Sequence, residues 1–349
     1  MPQGKRLCYV SHNYPHTNSS GFKAKTDNEL TLERLGAVNL GLPQTHYTNK
    51  CAQFAVGLTS ALKAAASLRR GDILVLQYPL KKYFSFLCRA AHRRGARVVT
   101  VIHDLGSMRR RRLTPEKEIS RLSNADYVIA SNEVMRQWLI NHGMKRHTGA
   151  LGLFDFISPA RLPENAGPTK APVVVYAGAL GMRKNAFLLK MPEMAGQFTL
   201  RVFGNAEGLP GLSETKSADV RGFLAADTFV DTAPGDFGLV WDGDSLDSCT
   251  GNFGEYLRWN SPHKASFYLR AGMPLIVWSR SALAPLINEL GAGITVDSLN
   301  ELPDRLASMS ADDYATMSNA ARLIAYRLQN GGFFTEALQQ AINTLRANN

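Results

Sequence analysis

Ser158-Pro159-Ala160-Arg161-Leu162-Pro163-Glu164-Asn165-Ala166-Gly167-Pro168, followed closely by Pro172-Val173-Val174-Val175-Tyr176-Ala177-Gly178, decides how this chain is organised. The first stretch is polar and repeatedly broken by proline. It can neither continue a helix nor pair in a central strand, so it reads as a linker. The second is a short valine-rich run ended by glycine, the pattern of a strand buried on both faces. A linker followed at once by a new strand means that the second half of the chain begins a fold of its own.

Working outward from that point, both halves alternate short Val- and Ile-rich runs with helical patterns. Before the linker, strands are expected at Leu7–Ser11, Ile73–Gln77, Val98–His103 and Tyr127–Ala130, with a weaker one near Ala150–Leu153. Amphipathic segments at Ala52–Leu68, Tyr83–Arg94 and Glu133–Asn141 lie between them. After it, strands are expected at Phe198–Phe203, Phe237–Trp241, Leu275–Trp278 and Gly293–Val296. The tail from Asp312 to Leu345 reads as helix, interrupted near Gly331-Gly332. Such alternation builds parallel sheets with crossover helices. The expected fold class is α/β, with two Rossmann-like doubly wound domains facing a cleft. The N-terminal domain spans 1–158 and the C-terminal domain 169–330, and a helix in 331–349 packs back toward the first. In such sheets ligands bind at the carboxyl ends of the strands, where the strand order reverses.

The chain has 349 residues, suited to two domains, and 45% of them are hydrophobic, enough for two cores. No run of about 20 apolar residues suggests a membrane span. The start, Met1-Pro2-Gln3-Gly4-Lys5-Arg6-Leu7-Cys8-Tyr9-Val10, leads straight into a strand without an apolar signal core, which implies a cytoplasmic protein. Cys8, Cys51, Cys88 and Cys249 form no C-x-x-C pair, so buried thiols are expected rather than a zinc site or disulfides. The net charge of +11 favours nucleic acid, anionic lipid or polyphosphate partners. Part of it is local, in Arg93-Arg94 and Arg109-Arg110-Arg111-Arg112, which form either a solubilising face or a functional patch. No helix-turn-helix, zinc-finger or aromatic RNA-binding signature accompanies the charge, so nucleic acid is not expected.

Four segments carry candidate chemistry. In Asn260-Ser261-Pro262-His263-Lys264, Ser261 suits an N-cap and Pro262 a first helical turn. A helix N-terminus attracts a diphosphate but disfavours a cation, so Lys264 there is explained by an anion that it holds. The other reading is an ordinary capped helix with an exposed lysine. Gly178-Ala179-Leu180-Gly181-Met182-Arg183-Lys184-Asn185 is a glycine-bearing strand-to-helix turn with two cations, able to admit a ligand close to the backbone. Trp241-Asp242-Gly243-Asp244-Ser245-Leu246-Asp247 clusters carboxylates after a strand; Asp242 either lines a sugar pocket or sits in a simple strand-end loop. His103-Asp104 ends another strand, where Asp104 can be a general base for an acceptor hydroxyl or a helix N-cap. After the first strand, His12-Asn13-Tyr14-Pro15 and Ser19-Ser20-Gly21-Phe22-Lys23-Ala24-Lys25 are expected to shape a loop.

Trp241-Asp242-Gly243-Asp244, Gly254-Glu255-Tyr256-Leu257 and Asn260-x-Pro262-His263-Lys264 together resemble the bacterial beta-1,6-galactofuranosyltransferases. They are equally similar to the streptococcal glucosyltransferases that extend glycans on serine-rich adhesins. Val277-Trp278-Ser279 and Gly293-Ile294-Thr295-Val296-Asp297-Ser298-Leu299 extend the resemblance, as do Gly21-x-Lys23-Ala24 with Asp27, Gln77-Tyr78-Pro79 and Ile102-His103-Asp104-Leu105 in the first half. What this resemblance implies is a GT-B glycosyltransferase that takes a UDP-sugar as substrate, uses no metal or other cofactor, and transfers with inversion. The sugar would be galactofuranose or, next, glucose, and the acceptor a saccharide or lipid-linked saccharide in surface-polysaccharide or glycan synthesis.

By the same resemblance, Arg183 and Lys264 hold the diphosphate, with Lys184, His263, Ser261 and Gly178 beside them. Phe203, Gly204, Asp242, Tyr256 and Asn260 fall on the base and sugar side, and His16, Ser20, Gly21, Lys23 and Tyr78 on the acceptor side. Asp104 and His103 are the catalytic candidates. Family members often carry Leu-Glu-Ser-Leu-Arg after the His-Asp; here Leu105-Gly106-Ser107-Met108-Arg109 has lost the glutamate, which bears on acceptor contacts rather than on the fold. The arginine run would hold the enzyme at the inner face of an anionic membrane, and self-association is compatible with this reading. Two rivals stand beside it. A nucleotide-sugar epimerase or dehydrogenase would need a glycine fingerprint at its first strand, which is missing. A catalytically inactive GT-B subunit stabilising a partner transferase would release no UDP in a donor screen.

Overall fold

The structure, a computed structural model, describes residues 6–15, 20–80, 83–109, 113–164, 167, 171–194, 197–215 and 217–347. It divides into two compact units, Met1–Asp155 with Gly331–Asn349, and Phe156–Asn330.

The first unit runs β1 (Leu7–Tyr9), α1 (Ser20–Arg34), β2 (Val38–Asn39), α2 (Lys50–Ser67), β3 (Ile73–Tyr78), α3 (Phe84–Arg93), β4 (Arg97–Ile102), α4 (Gly106–Arg109), α5 (Pro115–Leu122), β5 (Tyr127–Ala130), α6 (Glu133–Asn141) and β6 (His147–Ala150). Its sheet is parallel, in the order β2-β1-β3-β4-β5-β6. Every residue of β3 is buried, which is why Ile73–Leu76 is a continuous apolar run rather than an alternation. Asn49 and Asn132 start α2 and α6 by accepting from the amides of Cys51 and Met135, each at 2.8 Å.

The second unit runs β7 (Val173–Ala177), α7 (Met182–Asn185), β8 (Thr199–Phe203), β9 (Ala218–Gly222), α8 (Ala226–Thr232), β10 (Phe237–Val240), α9 (Gly251–Tyr256), α10 (His263–Arg270), β11 (Leu275–Trp278), α11 (Ala284–Leu290), β12 (Gly293–Val296), α12 (Leu302–Ala307) and α13 (Ala311–Gln329). Its parallel sheet is ordered β12-β11-β10-β7-β8-β9, the doubly wound dinucleotide-fold order, with the reversal between β7 and β10. In the first unit the reversal lies between β1 and β3. The last helix, α14 (Gly332–Ala347), belongs to the first unit, where it packs on β5 and β6. Its Phe333 and Phe334 amides donate to the buried Asp155 carboxylate at 3.2 and 2.8 Å, an anion at the positive end of a helix.

Several sequence expectations are corrected. Ser20–Lys25 begins α1 rather than a loop. This helix buries Asp27, Asn28, Glu29 and Thr31, so its inward face shows no apolar period. The last strand of the first sheet is His147–Ala150, three residues earlier than expected, because His147 pairs with Tyr127 in register. The edge strands β2 and β9 are two residues and five, the latter with Asp219 and Arg221 interrupting it and none of its residues buried, so neither betrays itself as an apolar run. Cys51 is exposed on α2, whereas Cys8, Cys88 and Cys249 are buried. The described part of the linker is held to the second unit: Arg270 Nη2 donates to the carbonyls of Ser158 and Ala160 at 3.1 and 2.5 Å, and Arg322 Nη1 to that of Pro163 at 2.8 Å. No described helix is long and apolar enough to cross a membrane.

The contact between α10 and β10 sets where the second unit's site lies. A Cβ on Gly238 would come within 2.2 Å of the Tyr268 ring, and Tyr268 accepts the Ala177 amide at 2.6 Å. Gly238→Ala should therefore push α10 off the sheet and cost about 1–3 kcal/mol, as overpacking does. A thermal melt checks it; an unchanged midpoint would mean that the helix shifts without penalty.

Candidate active site

In the second unit, the ends of β7 and β10 meet at the reversal of strand order. β7 delivers Tyr176 and then Gly178, and β10 delivers Trp241 and Asp242. Gly178 has φ +148°, and Gly204 after β8 has φ +149°. A Cβ on Gly204 would sit 2.3 Å from the Gly178 carbonyl oxygen, so the two turns approach as only glycines can. Asp242 is buried. Its Oδ1 accepts the Tyr176 hydroxyl at 3.1 Å and lies 3.5 Å from Lys264 Nζ, while its Oδ2 is 3.8 Å from Lys184 Nζ. Tyr176 also accepts from the Asn185 amide, and Asn185 Oδ1 takes the Gly181 N–H at 3.0 Å, so the glycine turn is tied to the same cluster.

Lys264 is not the exposed lysine of an ordinary capped helix, because its ammonium is shut off from solvent, 3.6 Å from the centroid of the Tyr176 ring. It makes no hydrogen bond of ordinary geometry. Burial lowers its pKa to about 7; Asp242 opposes that shift and Lys184 adds to it. Two ammonium groups share one carboxylate, which leaves net positive charge beside the turn, and the exposed Arg183 adds more. This arrangement suits a diphosphate. Among the described residues no group of three or more His, Cys, Asp or Glu side chains could hold a metal ion.

Other donor-side residues are placed differently from expectation. Ser261 is not the N-cap: Pro262 occupies that position and no side chain caps α10. His263 stacks on Phe156, with centroids 5.2 Å apart. Phe203 packs edge-on against Phe229 within the core, so its ring is not offered for stacking, and only the backbone at Gly204 remains at the strand end. Tyr256 is buried in α9, and the Asn260 Oδ1 is shut off from solvent without a hydrogen bond.

In the first unit, the ends of β3 and β4 carry Gln77 and His103. Gln77 donates its amide to the Lys25 carbonyl at 3.0 Å, so its oxygen faces Asn28, at 3.1 Å, and His103 Nε2, at 2.8 Å. The His103 proton is thereby assigned to Nε2. Its ring stacks on Phe154 with centroids 4.9 Å apart. Asp104 is about one-third exposed and pairs with Arg109. The first amides of α4, Gly106 and Ser107, donate instead to the buried Glu118 carboxylate at 2.9 and 2.7 Å. The capping role that competed for Asp104 is thus filled by Glu118.

Tyr78, expected on the acceptor side, is turned inward, fully buried, and donates to Glu118 at 2.8 Å. Lys23 pairs with Asp27 one helical turn on, and Gly21 lies exposed in the first turn of α1. Ser20 opens the same helix; His16 and Arg110–Arg112 lie outside the described residues. The residues missed from sequence are Tyr176, Glu118 and Asn185's link to Tyr176. A tyrosine in a buried strand was the available signal, since its hydroxyl needs a partner.

Comparison with known proteins agrees with this architecture. Residues 7–153 match the glucosyltransferase 3-like N-terminal domain, and residues 174–341 the corresponding C-terminal domain. The chain is 28% identical to the beta-1,6-galactofuranosyltransferase WbbI of Escherichia coli K12 over 332 residues, covering 94% of this chain and 96% of that one. It is 26% identical to glucosyltransferase 3 of Streptococcus gordonii, covering 79% and 81%. Among solved structures, Anabaena HepE in complex with UDP and glucose superimposes with a TM-score of 0.58 at 13% identity, covering 98% and 99%. A glycosyltransferase of Rickettsia africae does so at 0.57 and 13%, covering 95% and 97%. With both of its domains matched, the chain belongs to the glucosyltransferase 3-like family of GT-B glycosyltransferases.

Proposed function

We propose that the protein moves a hexose, galactofuranose first and glucose next, from a UDP-sugar to a saccharide acceptor, with inversion, in surface-polysaccharide or glycan synthesis. The observation that carries this reading is the Lys264–Asp242–Lys184 cluster beside the Gly178 turn, at the strand reversal of the second unit. It offers positive charge in a largely desolvated setting, where a diphosphate leaving group gains most from it. The names of the relatives support the sugar classes, and the UDP and glucose bound by HepE support the donor class. In the first unit, Asp104 takes the proton of the acceptor hydroxyl as it attacks the anomeric carbon. The bond to the diphosphate breaks on the opposite face, and UDP leaves with its charge met by Lys264, Lys184 and Arg183.

A panel of UDP-sugars, with UDP release as the readout, tests the reading. Release with UDP-galactofuranose or UDP-glucose is expected. Release with no sugar of the panel would leave the chain a non-catalytic member of its family. Because side-chain cations take the diphosphate charge, activity should survive EDTA; loss in EDTA restored by Mg²⁺ or Mn²⁺ would assign Asp242, Asp244 and Asp247 to a metal instead.

A further inference from the structure

From Leu35 to His103 the chain carries ten lysines and arginines and a single acidic residue, Asp72. Asp72 is buried and paired with Arg6 at 2.6 Å, so this stretch shows no carboxylate to solvent. The same stretch holds α2, a helix without a charged residue between Lys50 and Lys63. Phe54, Leu58 and Leu62, spaced four apart on one face, are 50%, 39% and 53% exposed, with Cys51 and Ala55 exposed beside them. That face is about 12 Å long between Phe54 and Leu62. Tyr47, just before α2, is 51% exposed. α3 packs against α2, with the Tyr83 hydroxyl donating to the Phe54 carbonyl at 3.5 Å. It carries the exposed Arg89 and Arg93, with the exposed Arg94 capping its end, and Lys50, Arg69 and Arg70 are exposed at the two ends of α2.

Within this stretch the exposed charges beside the apolar stripe are all cations, which suits an anionic surface with an apolar interior. We propose that the α2–α3 face of the first unit docks on an anionic lipid bilayer, with Phe54, Leu58 and Leu62 entering the headgroup–acyl boundary and the flanking cations meeting lipid phosphates. Charge argues against a second copy, because a self-complementary contact would bring together two copies of a stretch that shows cations and no carboxylate to solvent. A soluble polyanion would satisfy the cations but leave the leucines in water. This surface is distinct from the arginine run at Arg109 and does not depend on which sugar the enzyme transfers.

Flotation of the full chain with vesicles tests it. Binding is expected to vesicles containing about one-third phosphatidylglycerol in phosphatidylcholine, to weaken as salt rises, and to be absent with phosphatidylcholine alone. The double variant Leu58→Gln/Leu62→Gln should float about tenfold less at an unchanged melting temperature, because both side chains are already exposed. Arg89→Gln and Arg93→Gln should each weaken binding about fivefold. No flotation of the native chain with either vesicle would overturn the proposal, as would full flotation of the leucine variant. Light scattering that shows the leucine variant breaking a native oligomer would assign the face to a second copy, and retention on a duplex oligonucleotide without flotation would assign it to nucleic acid.

Discussion

Replacing Lys264 with alanine is expected to weaken UDP binding by about 1.5–3 kcal/mol, as loss of a charge-assisted hydrogen bond does. The side chain starts α10, where a cation is disfavoured by the helix dipole, and it is buried, where a cation is disfavoured again. Asp242 offsets part of both costs at 3.5 Å, but Lys184 competes for the same carboxylate. A lysine kept in so unfavourable a place gains most from an anion brought to it. If calorimetry shows unchanged UDP affinity in the variant, Lys264 leaves the donor site.

The same burial gives the binding a pH dependence of definite sign. Lys264 in the free protein has its pKa lowered to about 7, and a bound diphosphate favours the charged form, raising that pKa. Binding then takes up a proton in the window above about pH 7, and affinity falls as pH rises through it. A UDP-sugar should be used rather than UDP, since a terminal phosphate itself titrates near pH 6. In Lys264→Ala the dependence should flatten. A slope that survives the substitution would point to another titrating group in the cluster.

How far the sequence foretells this arrangement differs between elements for physical reasons. Tyr127–Ala130 and Leu275–Trp278 are legible to the residue, because strands of a parallel sheet covered on both faces are apolar throughout, and Gly293–Val296 is legible from its alternation at the sheet edge. α1 is not legible, because the side it buries is polar: Glu29 accepts from Ser11 and Tyr14 at 2.6 and 2.5 Å, and burial raises its pKa. The segments that gather at the second unit's strand reversal can be read one by one. Their meeting cannot, because Tyr176 and Asp242 lie 66 residues apart and touch only because β7 and β10 are neighbours. Tyr78 and Phe203 fail for a simpler reason. A residue's type does not reveal which face of the sheet receives its side chain at a strand's last position.

Asp104→Asn should lower turnover by about 10²–10⁴-fold while leaving UDP affinity intact, the range that general-base catalysis contributes. The asparagine keeps the shape and the hydrogen-bonding reach but cannot accept the acceptor's proton. Its pairing with Arg109 does not confuse the result, because Arg109 is exposed, Asp104 is about one-third exposed, and such solvent-screened pairs contribute about 0–1 kcal/mol. A capping role does not confuse it either, for two reasons. Glu118 already takes the first amides of α4, and asparagine caps a helix about as well as aspartate. The variant should therefore melt close to the native protein and bind UDP as tightly, yet turn over slowly. Single-turnover rates with a competent donor and acceptor, set beside calorimetry of UDP, read the two properties separately. A near-normal rate would move the base elsewhere in the first unit. The next candidates are then His103, whose Nε2 proton is committed to Gln77, and Asp27, whose carboxylate pairs with Lys23 at 2.5 Å.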